Sequence, residues 1–191
     1  MGEIIIPNII INRSGTEQSL TPLSYELSNR NIYLFGEINN TCAMNILSQI
    51  HVLEDISSDP INLYINSPGG SVSDGLAICE AIEASPCIIS TCCTGLGASM
   101  AAVILASGEP GNRRIGKYSE VMIHQPMGGV QGQASEISRV CDHILKIREK
   151  LAKHLSECTG RKVEELLVDM DRDYWMSPLE AKQYGLVDQI M

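Results

Sequence analysis

Ser99 follows Gly97-Ala98 behind an apolar β-type run and opens a small-residue helical run, a place where a hydroxyl is presented at a strand end. His124 ends the run Val121-Met122-Ile123 and precedes Gln125-Pro126, and Asp173 closes the acidic stretch Asp169-Met170-Asp171-Arg172-Asp173. Serine, histidine and aspartate are the three groups that acyl transfer needs as nucleophile, base and orienter. Gly69-Gly70 forms a donor-rich turn after another strand, and Met100 begins the helix behind Ser99. The backbone N–H groups of Gly70 and Met100 are therefore candidate oxyanion donors, each worth about 3 kcal/mol in a transition state. Taken singly these signals are weak. Many serines begin helices, a histidine before Gln-Pro can cap a strand, and Asp173 can ion-pair with Arg172, so spacing alone leaves a structural role open.

The elements that must position these groups are legible from hydrophobic period. Ile32 to Phe35 reads as a strand and residues 41–57 as an amphipathic helix, with apolar residues recurring from Met44 to Ile56. Ile61 to Ile65 alternates as a strand, a helix follows over 74–84, and Cys87 to Cys92 is the next strand. Ser99 to Ala106 is a helix and Val121-Met122-Ile123 a strand. Strand alternating with helix favours parallel β units with crossover helices, an α/β fold whose sites gather at strand carboxyl ends. The longest helical pattern runs over about 133–158 and is longer than a domain this size needs to cover its own sheet, so it predicts packing against another subunit. A short helix follows over 161–168, and the last starts at the Ser177-Pro178-Leu179-Glu180 capping box and stops at Gly185. Asp173 is expected in a loop between these two helices. The first thirty residues are poorly periodic, with Asn12 to Thr16 reading as a turn.

Composition excludes several classes. A chain of 191 residues with 44% hydrophobic content suits one core. A net charge of -9 and scattered basic residues argue against a nucleic-acid surface. No apolar run is long enough to span a membrane, and Met1 to Ile11 does not read as a secretory signal. The seven cysteines include no CxxC pair, which argues against a zinc knuckle or disulfide framework and for a cytoplasmic compartment. His51, His143 and His154 sit in amphipathic segments and read as surface or core-supporting residues.

The segments Tyr64-Ile65-Asn66-Ser67-Pro68-Gly69-Gly70, Gly97-Ala98-Ser99-Met100, Val121 to Pro126 and Tyr184-Gly185-Leu186-Val187-Asp188, with Glu136 and Arg172-Asp173, resemble ClpP, the proteolytic subunit of the ATP-dependent Clp protease. The resemblance runs in order over residues 30–191. It implies a crotonase-like α/β fold with a protruding handle helix, an amino-terminal axial segment over 1–30 and one peptidase domain over 31–191. It implies a serine endopeptidase for unfolded polypeptides and short peptides, with Ser99 as nucleophile, His124 as base, Asp173 as orienter, and Gly70 and Met100 as oxyanion donors. No cofactor is implied in this subunit, since ATP is used by the partner. Expected partners are further copies in two stacked heptameric rings, a tetradecamer for protein quality control, and a hexameric AAA+ unfoldase such as ClpX, ClpA or ClpC. Gln133, Glu136 and Arg172 correspond to ring–ring contact positions, and Asn62, Tyr64, Ala84 and Arg114 to the ATPase-docking surface.

Where the family carries aromatics, this chain has Asn62, Ala84 and Arg114, which predicts a weakened aliphatic docking cleft despite Tyr64. Gly97 and Thr94 stand where the family usually has alanine and an aliphatic residue, and Gly97 is expected to loosen the loop that carries Ser99. These departures suggest a divergent paralogue that needs a second ClpP-like subunit. Two competing readings are a crotonase-like acyl-CoA hydratase or isomerase, which needs no nucleophilic serine, and a weakly active structural ring subunit.

Overall fold

A computed structural model describes residues 7–13 and 15–191. Residues 1–6 and Ser14, which belong to the expected axial segment, lie outside the described residues. The rest of that segment is more regular than its sequence suggests. β1 (Ile9–Arg13) and β2 (Thr16–Leu20) pair as an antiparallel ribbon, and α1 (Pro22–Ser28) starts where Thr21 accepts the Ser24 N–H.

The body alternates strand and helix, as expected: β3 (Asn31–Phe35), α2 (Asn40–Ile56), β4 (Ile61–Ser67), α3 (Val72–Ala84), β5 (Ile89–Ala98) and α4 (Met100–Ala106). β3, β4 and β5 are parallel neighbours, in the register Leu34↔Ile65 and Leu63↔Thr91. Period-two alternation decides which face is buried. Ile32, Leu34, Ile61, Leu63 and Ile65 are fully buried, while Tyr33, Asn62 and Tyr64 face the other side and are partly exposed. Against the buried face lie Ile46, Ile50 and Leu53 of α2, Ile78 and Ile82 of α3, and every residue of α4.

β5 is the pivot of the sheet. Its first half pairs with β6 (Arg114–Ile115) through Cys92 and Cys93, and its last three residues pair with β7 (Glu120–Ile123). Gly95, at φ +95°, lies between the two branches, in a conformation that a side chain would strain. α5 (Ala134–Thr159) then runs 26 residues, about 39 Å of helix. Only Leu151, Ala152 and Leu155 near its end are buried, and its first three turns, almost wholly exposed, leave the body as a protruding handle. This is the crotonase-like α/β architecture expected, long helix included.

The chain closes with α6 (Val163–Asp169), β8 (Tyr174–Met176), α7 (Pro178–Tyr184) and β9 (Gln189–Ile190). α7 keeps the expected signals: Ser177 and Glu180 form a capping box, and Gly185 ends the helix in the left-handed region. The end of the chain is tied back by Arg113, whose guanidinium donates to both oxygens of Asp188 at 3.0 and 2.6 Å. Two expectations fail here. Asp173 does not lie in a loop between two helices but directly before β8, an antiparallel partner of β7. Gly97 is not in a loose loop: it is a β5 residue paired with Ser67 on one side and Val121 on the other.

Candidate active site

Two strand ends and one helix start converge at Ser99. The parallel β5–β7 register, Ala98↔Met122, brings Ser99 and Ile123 out at the same edge, and the Ser99 N–H donates to the Met122 carbonyl at 2.8 Å. Ser99 has φ +57°, one of two described non-glycine residues with positive φ, which costs on the order of 1–3 kcal/mol and is tolerated where surrounding structure enforces it. The enforcing structure is the buried α4 behind it and the β7 bond in front. That strained backbone turns the hydroxyl toward His124.

The His124 Nε2 lies 2.8 Å from the Ser99 Oγ, and the His124 Nδ1 lies 3.1 Å from the Asp173 Oδ1. A carboxylate only accepts, so Nδ1 carries the proton and donates to Asp173. Nε2 is then left as the acceptor of the Ser99 O–H. The His124 side chain is 12% exposed, whereas that of Asp173 is 60% exposed.

The Gly69-Gly70 turn lies against this center. A Cβ on Gly69 would sit 2.7 Å from the Ser99 Cβ and 2.9 Å from the Met100 nitrogen. Ile38 clamps the turn from outside, its N–H donating to the Gly69 carbonyl and its carbonyl accepting from Ser71 at 2.8 Å. Beside Ser99 lies a small apolar recess of about 20 Å³, lined by Val72, Val103, Ile123, Leu151, Leu155 and Met170. The buried foot of the long helix thus supplies one wall of the recess. Wider depressions exist elsewhere, including a groove at Leu23, Leu27, Tyr33 and Phe35, but none of them contains a nucleophile–base pair.

A second serine–histidine pair lies on the far side of α4. The Ser107 Oγ is 2.8 Å from the His154 Nε2, and the His154 Nδ1 is 3.4 Å from Glu83. Ser107 is buried, and its hydroxyl also donates to the Val103 carbonyl at 2.9 Å. This set ties α3, α4 and α5 together. Ser99 borders the apolar recess and the Gly69-Gly70 turn, whereas Ser107 is enclosed by α3, α4 and α5.

The model of the Clp protease family matches residues 14–191. The chain belongs to the Clp protease family. Family membership and the serine–histidine geometry together support a serine hydrolase. Among the described residues no group of histidine, cysteine and carboxylate side chains is placed to hold a metal ion, and no helix is long and apolar enough to cross a membrane.

The remaining sequence candidates fall in separate places. Gln133 and Glu136 meet at the start of α5, where the Gln133 N–H donates to the Glu136 carboxylate at 3.4 Å. Arg172 is 94% exposed beside Asp173. Asn62, Tyr64 and Arg114 share one sheet face, where Arg114 donates to the Asn62 side chain at 2.8 Å and Tyr64 stacks on Tyr33. Asn62 in turn donates to Asn31, and Asn31 to Glu26, so a polar chain crosses this face. Ala84 is exposed at the end of α3. Sequence reasoning missed Asp171, Gln125 and Arg148, which hold the loop before Asp173. Their contacts join residues far apart in the chain and leave no local signal.

Proposed function

We propose that this protein is a serine endopeptidase that cleaves unfolded polypeptides and short peptides within a double-ring barrel. The observation that carries the reading is the continuous chain from Ser99 through His124 to Asp173. Ser99 attacks the scissile carbonyl while His124 Nε2 takes its proton, and the new oxyanion is met by the N–H groups of Gly70 and Met100. Collapse of the tetrahedral intermediate breaks the C–N bond, and His124 returns the proton to the leaving amine. Water, deprotonated by the same nitrogen, then frees the acyl group and restores Ser99. Asp173 holds the imidazole in the required tautomer throughout.

Containment is part of the proposal. Exposed Ile137 and Leu145 on the protruding helix, with Trp175 and Leu179 nearer the body, are surfaces that further copies would cover in stacked heptameric rings. Gln133, Glu136 and Arg172 are the proposed ring–ring contacts. A hexameric AAA+ unfoldase would spend the ATP and feed substrate at the face of Asn62, Tyr64, Ala84 and Arg114. The polar chain across that face supports the idea that a second ClpP-like subunit completes the docking surface, in a cytoplasmic mixed complex. The acyl-CoA hydratase reading gives no role to a hydrogen-bonded nucleophile, and the inactive-subunit reading gives none to an intact triad.

The test is hydrolysis of fluorogenic short peptides by the purified protein and by Ser99→Ala, with particle mass measured alone and with a coexpressed ClpP-like partner. Serine-dependent hydrolysis is expected. Hydrolysis retained by Ser99→Ala overturns the triad, and full ATPase-coupled proteolysis by a homomeric particle overturns the mixed ring.

A further inference from the structure

Asp173 is mostly exposed, and among the described residues its carboxylate has one partner, His124. Its position is therefore set by its backbone rather than by a cage of side chains. On one side that backbone continues into β8. On the other it passes through Met170-Asp171, and that stretch is gripped twice. Gln125, next to His124, donates its backbone N–H to the Met170 carbonyl at 2.6 Å and its side-chain amide to the Asp171 carbonyl at 2.9 Å. From α5, the Arg148 Nη2 donates to the Leu167 carbonyl at 2.8 Å and lies 3.7 Å from the Asp171 Oδ1.

Arg148 stands one turn before the buried foot of the long helix, and its Nε is buried with no hydrogen-bond partner. A guanidinium left partly unsatisfied there is costly, and a salt bridge to Asp171 and a bond to Leu167 are what it gains. Arg172 also approaches Asp171, at 3.9 Å, but its side chain is 94% exposed. Among the described residues, Arg148 alone ties the loop to another element through a partly buried ion pair.

We infer that Arg148 is a positioning residue: through Asp171 it fixes the loop that aims Asp173 at His124, and so links the protruding helix to the triad. This rests on the triad reading above. Displacing an orienting group by about 1 Å can cost up to about a hundredfold in rate, so loss of one of two grips is expected to cost about tenfold. The loss falls on kcat, because Arg148 is not among the residues lining the recess beside Ser99.

The experiment compares Arg148→Met, Arg148→Lys and Asp171→Asn in the full chain, with peptide hydrolysis, thermal midpoint and the rate of Ser99 labeling by a fluorophosphonate all measured. Arg148→Met is expected to lower kcat and labeling rate about tenfold with KM unchanged. Arg148→Lys, which keeps charge and one donor, is expected to recover to within about threefold of the parent. Asp171→Asn should match Arg148→Met, and combining the two should cost no more than either alone. A folded Arg148→Met with parental kcat, a loss confined to KM, or additive losses in the double variant would each overturn the inference. If Arg148→Met does not fold, the Lys and Asn variants decide by the same criteria. Failure of the triad reading is recognized separately, by hydrolysis that survives Ser99→Ala.

Discussion

Ile123 and Tyr174 face each other across the antiparallel β7–β8 ladder, and that pairing sets His124 opposite Asp173. Asp173 directly precedes the three-residue β8 and is mostly exposed, so its proposed orienting role can be probed without disturbing the core. Asp173→Asn keeps the shape of the side chain but can donate to Nδ1 and so favor the wrong tautomer. A fall in kcat of up to about ten-thousandfold is expected, with the thermal midpoint unchanged. Steady-state peptide hydrolysis and a melt on the same sample check both halves.

Gly69 meets Ser99 so closely that no side chain fits between them, and its φ of +92° disfavors any other residue. Gly69→Ala is expected to cost more than the about 1–3 kcal/mol of backbone strain alone, because the Ala98 carbonyl and Met100 nitrogen must also shift. Activity should fall by at least about a hundredfold if the proposed oxyanion donors at Gly70 and Met100 are displaced. Activity loss far exceeding what the stability change explains is the expected signature, read by kinetics beside urea unfolding.

Gly97 has a structural reason to lack a side chain in this chain. An added Cβ would lie 3.1 Å from the Cys93 Sγ, tighter than ordinary contact. Gly97→Ala is expected to cost about 1 kcal/mol, and Cys93→Ala should relieve most of that cost in the double variant. Denaturant midpoints for the four members of the cycle measure the coupling. Burial pushes the Cys93 thiol up to about 12, so alkylation of Cys93 should require unfolding.

Asp188 fastens the carboxyl-terminal strand. Burial raises its pKa, but hydrogen bonds from Arg113 and from the Gly111 N–H outweigh this and hold the carboxyl below its ordinary value. A depressed folded value means that the stabilization is present above the unfolded pKa and is lost as pH falls through the folded one. Asp188→Asn is expected to cost about 3 kcal/mol at neutral pH. The gap to the parent should begin to narrow below about pH 4, where the unfolded carboxyl protonates, and close further as pH falls through the lower native value. Thermal midpoints across that range test the sign.

Much of this architecture was legible beforehand. Apolar recurrence placed α2, α3, α5 and β4 within a few residues, and the Ser177 box and Gly185 stop placed α7. β8 was not legible, because Tyr174-Trp175-Met176 is too short to show alternation and exists only by pairing with β7. The β1–β2 ribbon was hidden by its polar strand Thr16–Leu20, whose residues face solvent and leave no buried period. Ser99, His124 and Asp173 could be named as chemical types, but not brought together. Their meeting rests on the two-sided pairing of β7, on the positive φ at Ser99 and on the bonds from Gln125 to the Met170 and Asp171 carbonyls. All three are long-range or conformational facts.

The central claim is that Ser99, rather than any other serine, is the nucleophile. Intact-mass and peptide-level analysis after reaction with a fluorophosphonate tests it most directly. One adduct per chain is expected, on Ser99, absent in Ser99→Ala and strongly slowed in His124→Ala. An adduct on Ser107, or undiminished labeling of Ser99→Ala, would contradict it.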